Sequence, residues 1–235
     1  MSLIDFLFPR RCLGCGKFGN YFCQDCLKAI RPLEGQICPA CEKPAFNGFT
    51  HPRCQTKYTL DGLVSIFPYE DMMKIALSKL KYKFITDLAK ELVDSIIRII
   101  ELNLTDQFKS LKWLFMDHKS ILVPIPLYWQ RENWRGFNQS ELLGKKIAKH
   151  FGWEMRTDVL IRQKSTQPQV GLKSDKRQEN ISGAFCLNSN WKLEIRNWKF
   201  IIFDDVWTTG STLKEAARVL KIAGAKEVWG LTICR

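Results

Sequence analysis

Two groups of residues are spaced to do chemistry. In IIFDDVWTTGST, residues 201 to 212, Asp204 and Asp205 end a hydrophobic run and are followed by Thr208, Thr209, Gly210, Ser211 and Thr212. The run KFIIF is β-branched and aromatic and reads as a buried strand, so the acids stand at its carboxyl end. Burying an unpaired carboxylate costs roughly several kcal/mol, and neighbouring strand residues face opposite sides. At most one acid can therefore be hidden and paired, and at least one is expected to face a ligand. The segment LKEAARVLKIAG then repeats Leu213, Ala216, Ala217 and Leu220 at helical spacing, with Gly224 suited to the residue after the helix. A strand, a small hydroxylic loop and a helix N-terminus together make an anion site whose natural guest is a phosphate monoester. The carboxylates repel that phosphate but accept hydrogen bonds from neutral hydroxyls at about 1.5–3 kcal/mol each. A sugar phosphate with a free vicinal diol meets both demands. An acid-tipped strand also occurs in P-loop nucleotidases, but their G-x-x-x-x-G-K-[ST] loop is missing here. An ordinary strand-turn-helix, capped by Ser211 or Thr212, leaves the acid pair unexplained.

The second group is metal chemistry. Cys12-x2-Cys15, Cys23-x2-Cys26, Cys38-x2-Cys41 and His51-x2-Cys54 follow one another within residues 12 to 54. Each pair aims two ligands at one point, and two pairs complete a tetrahedral Zn²⁺ shell. Such a short segment cannot bury a stable core unaided, whereas a structural zinc contributes on the order of 10 kcal/mol of folding energy. One or two zinc ions are expected, with sequential pairing favoured and interleaved pairing also geometrically open. Disulfides would need an oxidising compartment that nothing in the N-terminal sequence supports. Coordination uses up these side chains, so the array is structural or partner-binding. Cys186 and Cys234 stand apart and read as small core residues.

A further basic segment faces neither group in sequence. ILVPIPLYWQRENWRGFNQSELLGKKIA reads as strand, loop and helix, with Arg131 and Arg135 in the loop and Asn138 or Ser140 as the cap. Two arginines opposite a phosphate loop can clamp a pyrophosphate through bidentate hydrogen bonds. Tyr128, Trp129, Trp134 and Phe137 could stack bases of single-stranded DNA, although packing is the commoner fate of such residues. RQKSTQPQVGLKSDKRQEN, 162 to 180, is polar and rich in turn formers, as suits a loop closing over a ligand.

Strands at 63–67, 120–127, 199–204 and 227–234 alternate with helices at 71–81, 84–102, 138–151 and 212–223. That alternation predicts an α/β fold with a parallel sheet, whose ligands sit beyond the carboxyl ends of the strands. A composition shift after Cys54 divides the chain into an N-terminal zinc-binding domain, 1–57, and an α/β domain, 58–235. The formal charge of +12 falls to about +9 with two zinc sites filled, which suits nucleic acid, phosphorylated ligands or an acidic protein. No apolar run reaches the ~18 residues needed to cross a bilayer, and MSLIDFLFPRR has no basic leader, so a cytoplasmic protein without membrane insertion is expected.

FIIFDDVWTTGST resembles the phosphoribosyl pyrophosphate (PRPP) signature of type I phosphoribosyltransferases. By that resemblance Asp204 and Asp205 bind the ribose 2′ and 3′ hydroxyls and Thr208 to Thr212 cradle the 5′-phosphate. Trp207 is bulky for its place. With the cysteine pairs, VPIPL followed by R-x-x-x-R-G-F-N-Q-S, and T-Q-P-Q-x-G-L with Arg177 and Asn180 downstream, nearly the entire chain resembles the ComF family of late-competence proteins. His51 stands where a cysteine is usual. The resemblance implies a type I phosphoribosyltransferase-like domain behind a double zinc ribbon, Mg²⁺ with PRPP as ligand, and a role in single-stranded DNA uptake during natural transformation. It also implies a DNA-uptake ATPase as a partner. Whether such a protein transfers ribose 5-phosphate to an acceptor or only senses PRPP is left open, and no segment announces the acceptor.

Overall fold

The computed structural model describes residues 10–80, 86–103, 112–115, 119–165, 180–191 and 195–235. In chain order they form α1 (Gln24–Ala29), β1 (Gln36–Ile37), β2 (Pro44–Ala45), β3 (Gly62–Phe67), α2 (Asp71–Lys79), α3 (Thr86–Asn103) and α4 (Lys112–Phe115). After these come β4 (Ser120–Pro124), α5 (Trp129–Arg135), α6 (Gln139–Phe151), β5 (Glu154–Met155), β6 (Leu160–Arg162), β7 (Phe185–Leu187), β8 (Lys199–Val206), α7 (Ser211–Ile222) and β9 (Glu227–Cys234).

Five strands pair in the order β3-β9-β8-β4-β5, every neighbour parallel. Apolar runs such as Phe200–Phe203 and Val228–Leu231 are buried because helices cover both faces of the sheet. Leu143, Ile147 and Phe151 of α6 pack on one face with Ile201 and Phe203. Leu213, Ala216, Ala217 and Leu220 of α7 pack on the other with Phe200 and Ile202, as the two-residue period of β8 requires. Gly144 lets α6 lie close to the sheet: a Cβ there would sit 3.1 Å from both Leu122 Cδ2 and Phe203 Cδ1.

This order creates a switch point. From β4 the chain crosses through α6 to β5 at one edge, while from β8 it crosses through α7 to β9 toward the other. The two connections diverge above the carboxyl ends of β4 and β8, opening the crevice where open α/β sheets bind ligands.

Residues 10–54 dock on this body in two places. Arg10 pairs with Asp87 at 2.8 Å, and Glu91 of α3 accepts from the Tyr21 backbone at 2.7 Å. Cys12 and Phe22 join the main core. The second half lies on β3, which is an edge strand of the sheet. The Gln36 amide pairs twice with the Ser65 backbone, donating to its carbonyl at 3.0 Å and accepting from its N–H at 2.8 Å, and Leu33 N donates to Ile66 O. An otherwise open strand edge is thereby covered.

The expected strands and long helices are present with shifts of a residue or so, the strand at 120–127 ending at Pro124. One expectation is corrected: Arg131 and Arg135 stand on a helix, α5, and not in a loop. Gly136, at φ 79°, closes it by donating to the Glu132 carbonyl, a backbone conformation that glycine adopts without strain. Two short antiparallel strand pairs, β1–β2 and β6–β7, are not evident in the sequence. Most of the closing loop read at 162–180, and the first two residues of the helix read at 84–102, lie outside the described residues.

Candidate functional site

A cavity of about 480 Å³ opens at the switch point. Asp204, Asp205, Thr208, Gly210, Ser211 and Thr212 form its β8–α7 wall, and Arg131 and Arg135 stand on α5 across from them. Of the nine residues expected at a phosphoribosyl site, Thr209 alone is absent from the lining; its hydroxyl bonds Ser211 Oγ at 2.8 Å. Arg131 and Arg135 are four apart on one helix, which puts them on one face. The Arg135 Nη1 donates to Gln139 at 2.6 Å, and its buried Nε has no hydrogen-bond partner among the described residues. Burial and the charge of Arg135 lower the pKa of Arg131.

The loop's shape follows from Trp207. This side chain is buried, its ring lies beneath Gly210, and a Cβ on Gly210 would come within 2.1 Å of that ring. Gly210 also has φ 68°, so a side chain is disfavoured twice over. Gly210 is itself the N-cap of α7, and no side chain caps the helix there. The reading in which Ser211 or Thr212 caps an ordinary helix is thereby set aside. The first amides of a helix have no partner within it, and the helix dipole adds positive potential at the same place. Lys214 braces the loop: its Nζ donates to Thr209 O at 3.0 Å, lies 5.2 Å from the Trp207 ring centroid, and pairs with Glu42 at 3.1 Å.

The two acids differ in environment. Asp204 accepts from Ser140 Oγ at 2.8 Å and from the Asp205 amide at 2.9 Å. Desolvation, then repulsion from Asp205, pushes its carboxyl up to about 7, against the opposing hydrogen bonds and the charge of Arg162. Asn138 caps α6 by accepting from the Ser140 and Glu141 amides, which leaves the Ser140 hydroxyl for Asp204. The sequence alone marks Ser140 only as a possible cap. Arg162, Tyr69 and Lys74 also line the cavity and were missed. Nothing local in the sequence marks Arg162, because the strand that places it on the face of buried Leu160 spans only three residues.

The N-terminal ligands gather into two compact sets, Cys12-Cys15-Cys23-Cys26 and Cys38-Cys41-His51-Cys54, each with its donor atoms within 4.8 Å of one another. Pairing is sequential. Tetrahedral Zn–S bonds near 2.3 Å place sulfurs about 3.8 Å apart. Cys15 Sγ and Cys23 Sγ are 3.7 Å apart, and Cys41 Sγ lies 3.4 Å from His51 Nδ1. His51 Nε2 faces Pro44 O at 3.1 Å, the outer contact that orients a ligating imidazole. A Cβ on Gly14 would lie 2.8 Å from Cys26 Sγ, so glycine makes room for the first set. Burial opposes ionisation of Cys12, but backbone N–H groups outweigh it and bring the thiol to about 6. Its neighbour Cys26, hydrogen-bonded through its thiol to Cys23 and Cys12, is pushed up to about 12. Four crowded sulfurs ionise together only around a cation, so donor type, spacing and charge all fit structural zinc.

Parallel sheet, switch-point cavity and paired four-ligand sets define a phosphoribosyltransferase-type α/β protein with zinc ribbons. Comparison with known families agrees: a double zinc ribbon domain matches residues 3–55 and a phosphoribosyl transferase domain matches residues 138–235. The chain belongs to the ComF family. It is 30% identical over 220 residues to the DNA utilization protein YhgH of Salmonella typhimurium, covering 91% of this chain and 89% of that one. It is 27% identical to Competence protein F of Haemophilus influenzae, with 91% and 97% covered, and 28% identical to Competence protein ComFC of Bacillus subtilis, with 91% and 83% covered. Among the described residues no helix is long and apolar enough to cross a membrane.

Proposed function

We propose that this protein binds PRPP, or a related phosphoribosyl ligand, at the switch point and serves single-stranded DNA uptake from the cytoplasmic side. In this reading residues 1–57 are the zinc module and 58–235 the phosphoribosyltransferase-like domain. One observation carries it: an acid pair stands beside an uncapped helix N-terminus, with arginines on the facing helix. A ligand with a diol between two anionic ends matches that order of groups. Asp204 and Asp205 accept from the ribose hydroxyls, the 208–212 loop and the α7 amides hold the 5′-phosphate, and Arg131 and Arg135 hold the pyrophosphate. Mg²⁺, held beside Asp204 and Asp205, would neutralise pyrophosphate charge.

Turnover would make the protein a phosphoribosyltransferase; its absence would leave a PRPP sensor. The arginines would then stabilise charge on a departing pyrophosphate, while Ser140 fixes the carboxylate that steadies the ribose. Two aromatics of α5 favour the DNA role. Trp129 and Trp134 are 58% and 67% exposed, contrary to the packing that is commoner for such residues. They share this helix with Arg131 and Arg135, and aromatics with arginines are the combination that holds single strands. The relatives' names, competence and DNA utilization, point the same way. A DNA-uptake ATPase is the protein partner we propose for this role.

Calorimetry on the zinc-loaded chain tests the core of the reading. PRPP with Mg²⁺ should give a saturable heat that disappears in the double variant Asp204→Asn, Asp205→Asn; a flat titration with the parent protein ends the proposal. Pyrophosphate release across a panel of acceptors then separates enzyme from sensor.

A further inference from the structure

We infer that Arg162 is a third anion-binding residue of this cavity, acting with Arg131 on the diphosphate end of the ligand. The inference rests on the phosphoribosyl reading above and extends it to a residue from a separate structural unit. β6 pairs antiparallel with β7, Arg162 lying opposite Phe185, and the ladder continues as Gln163 N donates to Ala184 O. Leu160 and Arg162 share one face of β6; Leu160 is buried, while Ile161 on the other face is 46% exposed. A strand ordinarily puts an apolar residue at the Arg162 position, and here the guanidinium lies 5.4 Å from the Phe185 ring centroid and reaches the cavity instead.

Its surroundings there are charged. Burial, then repulsion from Arg131, lowers Arg162 to about 10, and attraction to Asp204 only partly opposes this. Arg131 is lowered in turn by burial and by Arg135. Cations gathered from α5 and β6 thus face a carboxylate that is itself only partly ionised near neutral pH. Such an arrangement gains most from a multiply charged anion, and a planar fork of donors suits diphosphate oxygens better than an ammonium would. A monophosphate at the α7 loop does not supply the second anionic group that such a cluster favours.

The two halves of the ligand separate the possibilities. Inorganic pyrophosphate, ribose 5-phosphate and PRPP, each with Mg²⁺, are titrated into the zinc-loaded full chain and into Arg162→Gln and Arg162→Lys. Arg162→Gln should weaken pyrophosphate and PRPP by tenfold or more and leave ribose 5-phosphate within about twofold. Arg162→Lys should fall between, and it carries the test alone if thermal melting shows that Arg162→Gln does not fold. Equal losses for ribose 5-phosphate and pyrophosphate would reduce Arg162 to a structural role. PRPP binding unchanged in both variants overturns the inference and spares the phosphoribosyl reading. Pyrophosphate binding that depends on Arg162, in a protein that ignores PRPP, does the reverse.

Discussion

The zinc module and the switch-point cavity are assembled by opposite strategies. Each metal set draws all four ligands from a span of under 20 residues, Cys12 to Cys26 or Cys38 to Cys54. The cavity draws on Arg131, Ser140, Arg162, Asp204 and Thr212, brought together by strand order and two divergent crossovers. The first is fixed by spacing and completed by an ion. The second is fixed by a packed sheet and completed by a ligand. Local sites should therefore fail when the metal leaves, and distributed sites when a single supporting contact is lost.

Metal removal tests the contrast most strongly. Chelation should withdraw on the order of 10 kcal/mol per site and melt residues 10–54 first, read as loss of hydrogen-exchange protection there before the β8–β9 core. Retained protection in a strong chelator would mean the module folds without zinc. Next in size is the acid pair: losing two charged acceptors costs about 3–6 kcal/mol, or ~10²–10⁴-fold in PRPP affinity by calorimetry.

Gly210→Ala forces a methyl group toward the Trp207 ring at a left-handed φ, and overpacking of this kind costs about 1–3 kcal/mol. Thermal melting should show it, with 5′-phosphate binding impaired as well; an unchanged melt would mean the loop does not depend on its buried floor. pH offers a further test. The folded pKa of Asp204, raised to about 7, lies above its unfolded value near 3.8, so the folded state binds the extra proton. That contribution is full below about pH 4 and is lost as pH rises through 7. Asp204→Asn should flatten the fall in stability between those values. Ligand hydroxyls need the carboxylate as acceptor, so PRPP affinity should fall by up to about tenfold per pH unit below 7 in the parent protein. The smallest effect belongs to the strut between the two regions. Glu42 and Lys214 are both partly exposed, and Glu42→Ala should change stability by about 0.2–1 kcal/mol in chemical denaturation, less at high salt.

Much of the body was legible because its elements are long and periodic: β8, β9, α6 and α7 declare themselves by apolar runs or helical spacing. Helix α5 was not, because one short amphipathic stretch between proline and glycine looks like a loop until Gly136 is seen to close it. β6 and β7 span three residues each and gain their meaning from a partner more than 20 residues away. In the sequence Ser140 stands out only for its backbone position; its hydrogen bond to Asp204 depends on α6 lying against the end of β8.

By itself the sequence marked which side chains could bind zinc, that an acid pair would end a buried strand, and that a small loop would open a helix. Those features depend on neighbours within a few residues, where chain geometry leaves little choice. Tertiary structure decided which cations face the acids, which hydroxyl steadies Asp204, and how the second ribbon comes to brace the loop at 208–212. Such contacts join residues as far apart as Glu42 and Lys214, and only the packing of one element against another sets their distance.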